Sequence, residues 1–247
     1  MERLDVALVE RGLCDSREQA KRAIMAGQVQ VNGQLAGKPS DSVKPGDTLH
    51  LLAREKYVSR GGLKLEAALL HFQVEVSGVT AVDVGASTGG FTDCLLQHGA
   101  ARVFAVDVGQ GQLAWKLRQD ARVVVMEKTN ARELTRARFP QPFVAVELAV
   151  IDCSFISLRK ILPPVVALLH PSARIIALIK PQFEAGKAEA DKGAGVITDP
   201  AIHARVLREL AEFVGAQAAL RWRNVVASPL LGPAGNKEFL VLIEKTG

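Results

Sequence analysis

The stretch Thr80–Phe91, TAVDVGASTGGF, decides how the rest of the chain is interpreted. Its first five residues form a short apolar run, as expected of a strand buried on both faces. Asp83, Gly85, Gly89 and Gly90 then form a tight turn with few side chains. A helix is predicted to begin after it, near Phe91. Such a turn exposes backbone N–H groups, against which a flat, polar cofactor can lie. A glycine-rich turn can also be a simple tight connection, so the rest of the chain must decide between a cofactor-binding turn and a connection without a ligand.

From Val79 onward, apolar runs alternate with helical patterns. The predicted strands are 80–84, 102–106, 123–126, 145–151, 174–179, 219–226 and 239–244, and the predicted helices are 91–98, 111–118, 157–169 and 200–214. Continuous apolar strands separated by helices predict a parallel α/β sheet covered on both faces. The last two strands are separated only by SPLLGPAGNK, which predicts a hairpin that ends the sheet with an antiparallel edge. This ending is typical of S-adenosylmethionine-dependent methyltransferases, so the expected fold is Rossmann-like, class I, with an antiparallel last strand.

Composition limits the other possibilities. The 247 residues, 48% hydrophobic, suffice for one large or two modest domains. No run approaches the roughly 18 apolar residues of a membrane span, and MERLDVALVERGL is too polar for a signal peptide, which predicts a cytoplasmic protein with no membrane partner. The three cysteines (14, 94 and 153) lack the spacing of a disulfide framework or a zinc site. A net charge of +5 favours a polyanionic partner.

Residues 1–52 are expected to form a small separate α+β domain. Two short amphipathic helices are predicted first, the second opened by a capping box of Asp15 and Glu18 and ending at Ala26. Strands follow at 29–31 and 48–52, and Asn32-Gly33 is a strong signal for a two-residue hairpin turn. The charged segment 53–60 is predicted to be a linker to a second domain at 61–247.

This first stretch resembles the small RNA-binding domain named after ribosomal protein S4. The resemblance is carried by RLDVALVERGL, by SREQAKRAIMAGQVQVNG and by the later PGD turn. It implies structured RNA as the partner. The candidate phosphate contacts in this domain are Arg3, Arg17, Lys21, Arg22 and Lys38.

Several residues of the first half indicate which cofactor binds. The turn G-A-S-T-G-G lacks the G-x-G-x-x-G spacing on which a pyrophosphate rests, so a dinucleotide is not expected. Asp107 ends the second strand, where a carboxylate can accept both ribose hydroxyls of a nucleoside, and Asn130 can pair with an adenine edge. The predicted cofactor contacts are Asp83, Gly85, Ser87, Thr88, Gly89, Gly90, Phe91, Asp107, Val108, Asn130 and Asp152.

Two charged residues follow apolar strands in the second half. Asp152 and Lys180 each stand at the carboxyl end of a predicted parallel strand, where the ligand cleft of such a sheet opens. Partly desolvated charges need partners, and a purely structural ion pair between these two residues is one interpretation. Glu238 opens the final strand at the same rim.

The chain from Lys56 onward resembles the methyltransferase domain of the TlyA family, relatives of the FtsJ-type RNA ribose 2′-O-methyltransferases. The motifs that carry the resemblance are YVSRGGLKL, DVGASTGGFTD, TNAR, DCSFISL, IKPQFE and NKEFL. It implies a catalytic Lys-Asp-Lys-Glu tetrad at Lys64, Asp152, Lys180 and Glu238. It also implies methylation of a cytidine 2′-hydroxyl in ribosomal RNA or ribosomal subunits, with S-adenosylmethionine as donor and no metal.

Alternatives remain open at this stage. Lys180 is the general-base candidate, while the tetrad could instead orient the ribose and stabilise negative charge on its oxygen. Cytosine C5 methylation would use Cys153 as nucleophile, and a non-catalytic RNA-binding ribosome assembly factor would keep the fold alone. The long loop 181–198 is expected to cover the cleft. Three cations are further candidate RNA contacts in this half: Arg60, Lys187 and Lys192.

Overall fold

Two separately packed units make up the chain, which we describe from a computed structural model covering residues 1–52, 56–186, 189, 191 and 193–246. The units are Met1–Lys56 and Tyr57–Gly247, so their boundary falls within the predicted linker 53–60. Each unit has its own apolar core. The short charged segment therefore separates two bodies that bury their side chains independently.

The first unit packs two helices on small antiparallel sheets. A three-stranded sheet has the order β3-β2-β5, and β1 pairs with β4. The turn between β2 and β3 has positive φ angles at Asn32 and Gly33, as a two-residue hairpin requires. Leu4, Leu8 and Ile24 are fully or almost fully buried between the helices and the sheet. The elements are β1 (Glu2–Arg3), α1 (Leu4–Glu10), α2 (Arg17–Met25), β2 (Val29–Val31), β3 (Gln34–Leu35), β4 (Ser42–Val43) and β5 (Leu49–Leu51).

The N-terminal cap of α2 differs from the prediction. Ser16 caps the helix, because its hydroxyl accepts the N–H of Gln19 at 3.2 Å. The Gln19 side chain in turn accepts the N–H of Asp15 at 2.7 Å. The predicted pair of Asp15 and Glu18 was therefore wrong by one position, and the Glu18 carboxylate instead pairs with Lys21 at 2.7 Å. A capping box needs a side chain at the residue where the helical backbone begins, and that residue is Ser16.

The second unit is built on a seven-stranded sheet with the order β11-β12-β10-β9-β6-β7-β8. All seven predicted strands are present, and β10 begins five residues earlier than predicted, at Leu169. Strands β6 to β10 run parallel, and β12 is antiparallel to both of its neighbours. The strands are β6 (Thr80–Val84), β7 (Arg102–Val106), β8 (Val123–Met126), β9 (Val146–Ile151), β10 (Leu169–Ile179), β11 (Leu220–Ala227) and β12 (Phe239–Lys245).

The antiparallel last strand is confirmed, but it does not form the edge of the sheet. Strand β12 inserts between β10 and β11, so β11 is the edge strand. Burial explains the order: Leu240 and Val241 of β12 have no exposed surface, whereas most residues of β11 are half-buried or exposed. The more apolar strand takes the interior position, where both of its faces are covered.

Helices cover both faces of this sheet and form two apolar cores. One core includes Leu65 of α3 and Leu95 of α4, and the other includes Ile161 of α6 and Val206 of α8. The helices are α3 (Gly61–Phe72), α4 (Gly90–Gln97), α5 (Trp115–Arg118), α6 (Leu158–Val166), α7 (Pro181–Glu184) and α8 (Pro200–Gly215).

Helices α3 and α4 meet at glycines. A Cβ atom added at Gly90 would lie 2.9 Å from the backbone nitrogen of Gly62, and one added at Gly62 would lie 2.3 Å from Cγ of Tyr57. Real side chains do not tolerate such distances, so the absence of Cβ atoms allows the helix starts to touch. This contact fixes the first turns of α3, on which Lys64 lies.

Candidate active site

The glycine turn after β6 brings two strand ends into direct contact. Gly85 has a φ of 89°, and a Cβ there would lie 2.6 Å from the backbone oxygen of Asp152 at the end of β9. Gly89 has a φ of 95° and would meet Leu117 Cδ1 at 2.3 Å. Both the left-handed backbone and the close approach require glycine at these two positions. The turn therefore leaves an open space above the carboxyl ends of β6, β7 and β9.

A cavity of about 750 Å³ occupies that space. It is lined by six of the residues predicted to contact the cofactor: Gly85, Ser87, Asp107, Val108, Asn130 and Asp152. The other five, Asp83, Thr88, Gly89, Gly90 and Phe91, do not line it and lie in β6 or at the turn and start of α4. Their contact with a cofactor stays a prediction.

Asp107 joins two of the loops around the cavity. One carboxylate oxygen accepts the N–H of Ser87 at 2.7 Å and the other accepts that of Gly109, also at 2.7 Å. Each oxygen keeps a further lone pair with which it could accept a hydroxyl. Asn130 Oδ1 accepts the N–H of Arg132 at 3.1 Å and so caps a short 3₁₀ turn at the cavity wall.

Asp83 lies behind the turn in a fully buried position. Its Oδ2 accepts the hydroxyl of Thr92 at 2.6 Å, while Oδ1 has no hydrogen-bond partner among the described residues. Burial raises the pKa of Asp83 to about 7, with the negative charge of Asp152 acting in the same direction. Within the described part of the chain, Asp83 Oδ1 is therefore an unpaired acceptor in the interior next to the glycine turn.

The four residues of the predicted tetrad form two ion pairs. Lys180 Nζ lies 2.6 Å from Asp152 Oδ1, and Lys64 Nζ lies 2.5 Å from Glu238 Oε2. Strand register brings the pairs near each other, because Ile179 of β10 faces Phe239 of β12 and the next residues are Lys180 and Glu238. Helix α3, which carries Lys64, contacts β12.

The two pairs differ in their exposure. Lys64 and Glu238 have side chains that are 9% and 1% exposed, whereas those of Lys180 and Asp152 are 11% and 23% exposed. Asp152 lines the cavity, and the Lys64–Glu238 pair does not. The arrangement therefore places one ion pair at the cavity and a more deeply buried one on the neighbouring strand end.

Sequence reasoning missed two cavity-lining residues, Ser154 and Phe155. Ser154 Oγ accepts a hydrogen bond from Lys180 Nζ at 2.9 Å, which fixes the ammonium from a second direction. Phe155 is 90% exposed with a φ of 63°, and its ring centroid lies 5.1 Å from that of Phe183. Both residues belong to the segment DCSF, so the signal was their position directly after the Asp152 strand.

Glu184 holds the wall of the cavity on this side. Its carboxylate accepts the hydroxyl of Ser157 at 2.6 Å and the N–H of Leu158 at 2.8 Å. These bonds tie helix α7, which follows Lys180, to the start of α6. Burial raises the pKa of Glu184, and the two hydrogen bonds act against that rise. The segment that carries Ser154 and Phe155 is thus anchored at its far end.

Cys153 does not have the properties of a nucleophile. Burial raises the pKa of its thiol to about 12, with the negative charge of Asp152 as the next contribution. The sulfur lies 3.5 Å from the backbone oxygen of Val84, to which it donates. Because the thiolate is the reactive form, a thiol that stays protonated at neutral pH cannot attack a cytosine ring.

The predicted RNA contacts lie in both units. In the first unit, Arg3 and Arg17 share one carboxylate, Lys21 pairs with Glu18, Arg22 lies in the last turn of α2, and Lys38 lies in the loop before β4. In the second unit, Arg60 donates to the backbone oxygen of Leu231 at 3.2 Å. Lys187 and Lys192 lie outside the described residues.

The described part of the chain contains neither a metal-site cluster nor a helix that could span a membrane. Within residues 1–52, 56–186 and the described positions beyond, no cluster of His, Cys, Asp and Glu has the arrangement of a metal site. In the same part of the chain, no helix combines the length and the apolar character needed to cross a bilayer.

The strand order, the glycine turn and the polar rim at the carboxyl ends together define a Rossmann-like methyltransferase. Comparison with known proteins identifies the family. The chain belongs to the FtsJ-like methyltransferase family, whose model matches residues 57–245, and an S4 domain model matches residues 2–49. The predicted fold classes, a Rossmann-like methyltransferase and an S4-like domain, are thus confirmed.

Relatives cover almost the whole chain. It is 51% identical to YqxC of Bacillus subtilis, a candidate rRNA methyltransferase, over 100% of this chain and 86% of that protein. It is 46% identical to the 16S/23S rRNA (cytidine-2′-O)-methyltransferase TlyA of Mycobacterium tuberculosis, over 97% of this chain and 88% of that one. A solved structure of a candidate hemolysin from Streptococcus thermophilus matches with a TM-score of 0.76 and 45% identity, covering 99% of this chain and 88% of the other.

Proposed function

We propose that this protein transfers a methyl group from S-adenosylmethionine to the 2′-hydroxyl of a cytidine in ribosomal RNA. One observation supports this most directly: Lys180 is held by Asp152 and Ser154, and both of these residues line the nucleoside-sized cavity. The activity of the 46% identical TlyA supports the same substrate and reaction. Since such an enzyme works where ribosomes assemble, we expect it in the cytoplasm.

The cavity fits a nucleoside cofactor. Its volume of about 750 Å³ lies in the range of small-molecule sites, and the carboxylate of Asp107 and the amide of Asn130 both reach it. Those two side chains would hold the ribose and the adenine, and the turn from Gly85 to Ser87 would lie against the remainder. When bound, S-adenosylmethionine supplies an electrophilic methyl group on a positively charged sulfur.

Lys180 would act on the incoming ribose. A ribose hydroxyl is a weak nucleophile, and it loses a proton as its oxygen attacks. The Lys180 ammonium, fixed by Asp152 at 2.6 Å and by Ser154 at 2.9 Å, would stabilise negative charge on that oxygen and orient it. As an ammonium, Lys180 would stabilise this charge while the ribose proton leaves to solvent, whereas as a neutral amine Lys180 would itself accept that proton.

The Lys64–Glu238 pair would support this geometry from the next strand. The antiparallel pairing of Ile179 with Phe239 brings Glu238 opposite Lys180, so the buried carboxylate of Glu238 adds negative charge near the lysine. Lys64 neutralises that carboxylate through the 2.5 Å contact. The pair would thereby set the electrostatic balance at the rim without lining the cavity.

Phe155 offers a surface for the target base. Its ring is exposed, lines the cavity and packs on Phe183 at an interplanar angle of 46°, and an exposed aromatic ring can stack a base that has left its helix. The S4 domain would bind structured RNA, and the cavity of the second unit would receive the target nucleotide. Ribosomal RNA or a ribosomal subunit is therefore the expected partner.

The experiment compares Lys180→Ala with Lys116→Ala in the full chain. Lys116 is a matched control, because it is half-exposed, also pairs with an aspartate, Asp93 at 3.1 Å, and does not line the cavity. Calorimetry measures S-adenosylmethionine binding, filter binding measures RNA affinity, and mapping of alkali-resistant linkages locates 2′-O-methyl groups in transcribed 16S and 23S rRNA.

We expect Lys180→Ala to bind cofactor and RNA but to lose at least a hundredfold in methyl transfer, with Lys116→Ala unchanged. Near-normal methylation by Lys180→Ala would refute the role of Lys180. A wild-type protein that binds RNA but no S-adenosylmethionine would refute the enzymatic function and favour an assembly factor.

A further inference from the structure

A buried carboxylate in the first unit holds two of the arginines that are predicted to contact RNA. The Asp5 side chain has no exposed surface. Its Oδ1 accepts from Arg3 Nε at 2.9 Å, and its Oδ2 accepts from Arg3 Nη2 at 3.2 Å and from Arg17 Nη2 at 3.1 Å. The arginine side chains remain 49% and 56% exposed. One inward-facing carboxylate thus fixes two guanidiniums that still reach solvent.

Both guanidiniums keep most of their donors for a ligand. Each carries five N–H donors in a rigid plane. Asp5 takes two from Arg3 and one from Arg17, and the structure shows no other hydrogen bond of either guanidinium to a described residue. Three donors of Arg3 and four of Arg17 therefore remain. Planar N–H pairs of this kind match the oxygens of a phosphate.

The backbone around Asp5 is fixed as well. The N–H of Asp5 donates to the oxygen of Pro39 at 3.1 Å, and Arg3 pairs with Ser42 in the β1–β4 ladder. The same loop carries Lys38, whose N–H is held by the Asp41 carboxylate at 2.8 Å. Asp5 and the loop that carries Lys38, another predicted phosphate contact, are thus parts of one hydrogen-bonded framework.

The charge of this cluster favours an anionic ligand. Hydrogen bonding from Arg3 is the main cause that lowers the pKa of Asp5 to about 2, and Arg17 acts in the same direction against burial. The carboxylate is therefore ionised at neutral pH, and the three side chains together carry one net positive charge. A single arginine would suffice to neutralise Asp5, so the second arginine leaves one excess positive charge that a phosphate can neutralise.

We propose that Asp5 is a positioning residue that assembles Arg3 and Arg17 into one preformed fork for a phosphodiester of the RNA substrate. This deepens the proposed function and rests on it. Without Asp5 the two guanidiniums would repel each other and sample many rotamers. With Asp5 they are ordered before RNA binds, so RNA binding does not have to supply that ordering free energy.

Asp5→Asn separates positioning from simple charge. The substitution raises the net charge by one, so a purely electrostatic role predicts tighter RNA binding. Positioning predicts the opposite: about tenfold weaker binding of transcribed 16S and 23S rRNA, as for one lost charge-assisted hydrogen bond. The salt dependence of binding should also fall by about one phosphate contact. Glu10→Gln is the matched control, because it removes one exposed negative charge from the same helix and should bind RNA equally or more tightly.

Arg17→Lys provides a second variant if Asp5→Asn fails to fold. Lysine keeps the charge at an exposed position but cannot form a planar fork, so RNA binding should weaken by a similar factor. Circular dichroism melts of the full chain identify the folded variants. Wild-type RNA affinity in Arg17→Lys, or in a folded Asp5→Asn, would overturn the proposal.

Methyl transfer on the same samples distinguishes this proposal from the proposed function. The expected pattern for Asp5→Asn is a raised KM for RNA with a wild-type kcat at saturating RNA. If Asp5→Asn binds RNA more weakly than the wild type but the wild type methylates no ribose, the proposed function is refuted and the proposal for Asp5 stands.

Discussion

Removal of one partner from the buried Lys64–Glu238 pair should destabilise the second unit far more than removal of both. The two side chains are 9% and 1% exposed, and Nζ lies 2.5 Å from Oε2. At an effective dielectric constant of 20, unit charges at that separation attract by about 6–7 kcal/mol. Burying each ion costs several kcal/mol, so the intact pair contributes little net stability.

Single and double variants should therefore differ in a defined way. Lys64→Met leaves the Glu238 carboxylate buried without its partner, which should lower the free energy of unfolding by about 3–5 kcal/mol. Lys64→Met combined with Glu238→Leu replaces both charges with apolar groups and should recover most of that loss.

Urea denaturation followed by tryptophan fluorescence measures the effect. The chain has two tryptophans, Trp115 and Trp222, and both belong to the second unit, so the signal reports on that unit. A cost below about 1 kcal/mol for Lys64→Met would refute the reasoning. A double variant that loses the sum of both single losses would refute it as well, because the two residues would then be energetically independent.

Three further outcomes are expected. Gly232→Ala places a Cβ 2.6 Å from Glu238 Oε1 and should lower methyl transfer tenfold or more in the assay above, whereas Gly215→Ala meets no atom within 4 Å and should not. Because the pKa of Asp83 rises from 3.8 to about 7 on folding, the folded state binds more protons, and its stability should fall as pH rises from about 4 to 7. Thermal melts of Asp83→Asn should lack this slope, and equal slopes in both proteins would contradict it. Cys153→Ser should keep ribose methylation, since the thiol pKa of about 12 keeps it protonated; a wild-type product with the methyl group on cytosine C5, lost in a folded Cys153→Ser variant, would point to C5 chemistry.

Local patterns predicted the elements of both units well. Strands β6, β7 and β8 have the predicted bounds, because each is an apolar run that ends at a charged or glycine residue. The hairpin at Asn32-Gly33 was equally clear, since few dipeptides adopt two positive φ angles. These features depend on residues that are close in the sequence, so they can be predicted from the sequence alone.

Long-range features could not be predicted in the same way. The insertion of β12 depends on which strand buries more surface, and the Lys64–Glu238 pair joins residues 174 positions apart. The burial of Asp152 and Lys180 after apolar runs did indicate that they need partners, and they are indeed paired. The role of Ser154 depends on a lysine from another strand, and no local pattern indicates it.

The insertion of β12 imposes a sequence of events on the maturing chain. Among the described strands, β11 pairs with β12 alone, so it can join the sheet only together with residues 239–245 or after them. Until those residues have docked, the open side of β10 could recruit a strand from another molecule, the usual start of misassembly. Docking of β12 closes this side and brings Glu238 beside Lys180 in the same event. The approach of Glu238 to Lys180 and the covering of this side of β10 thus depend on the same strand.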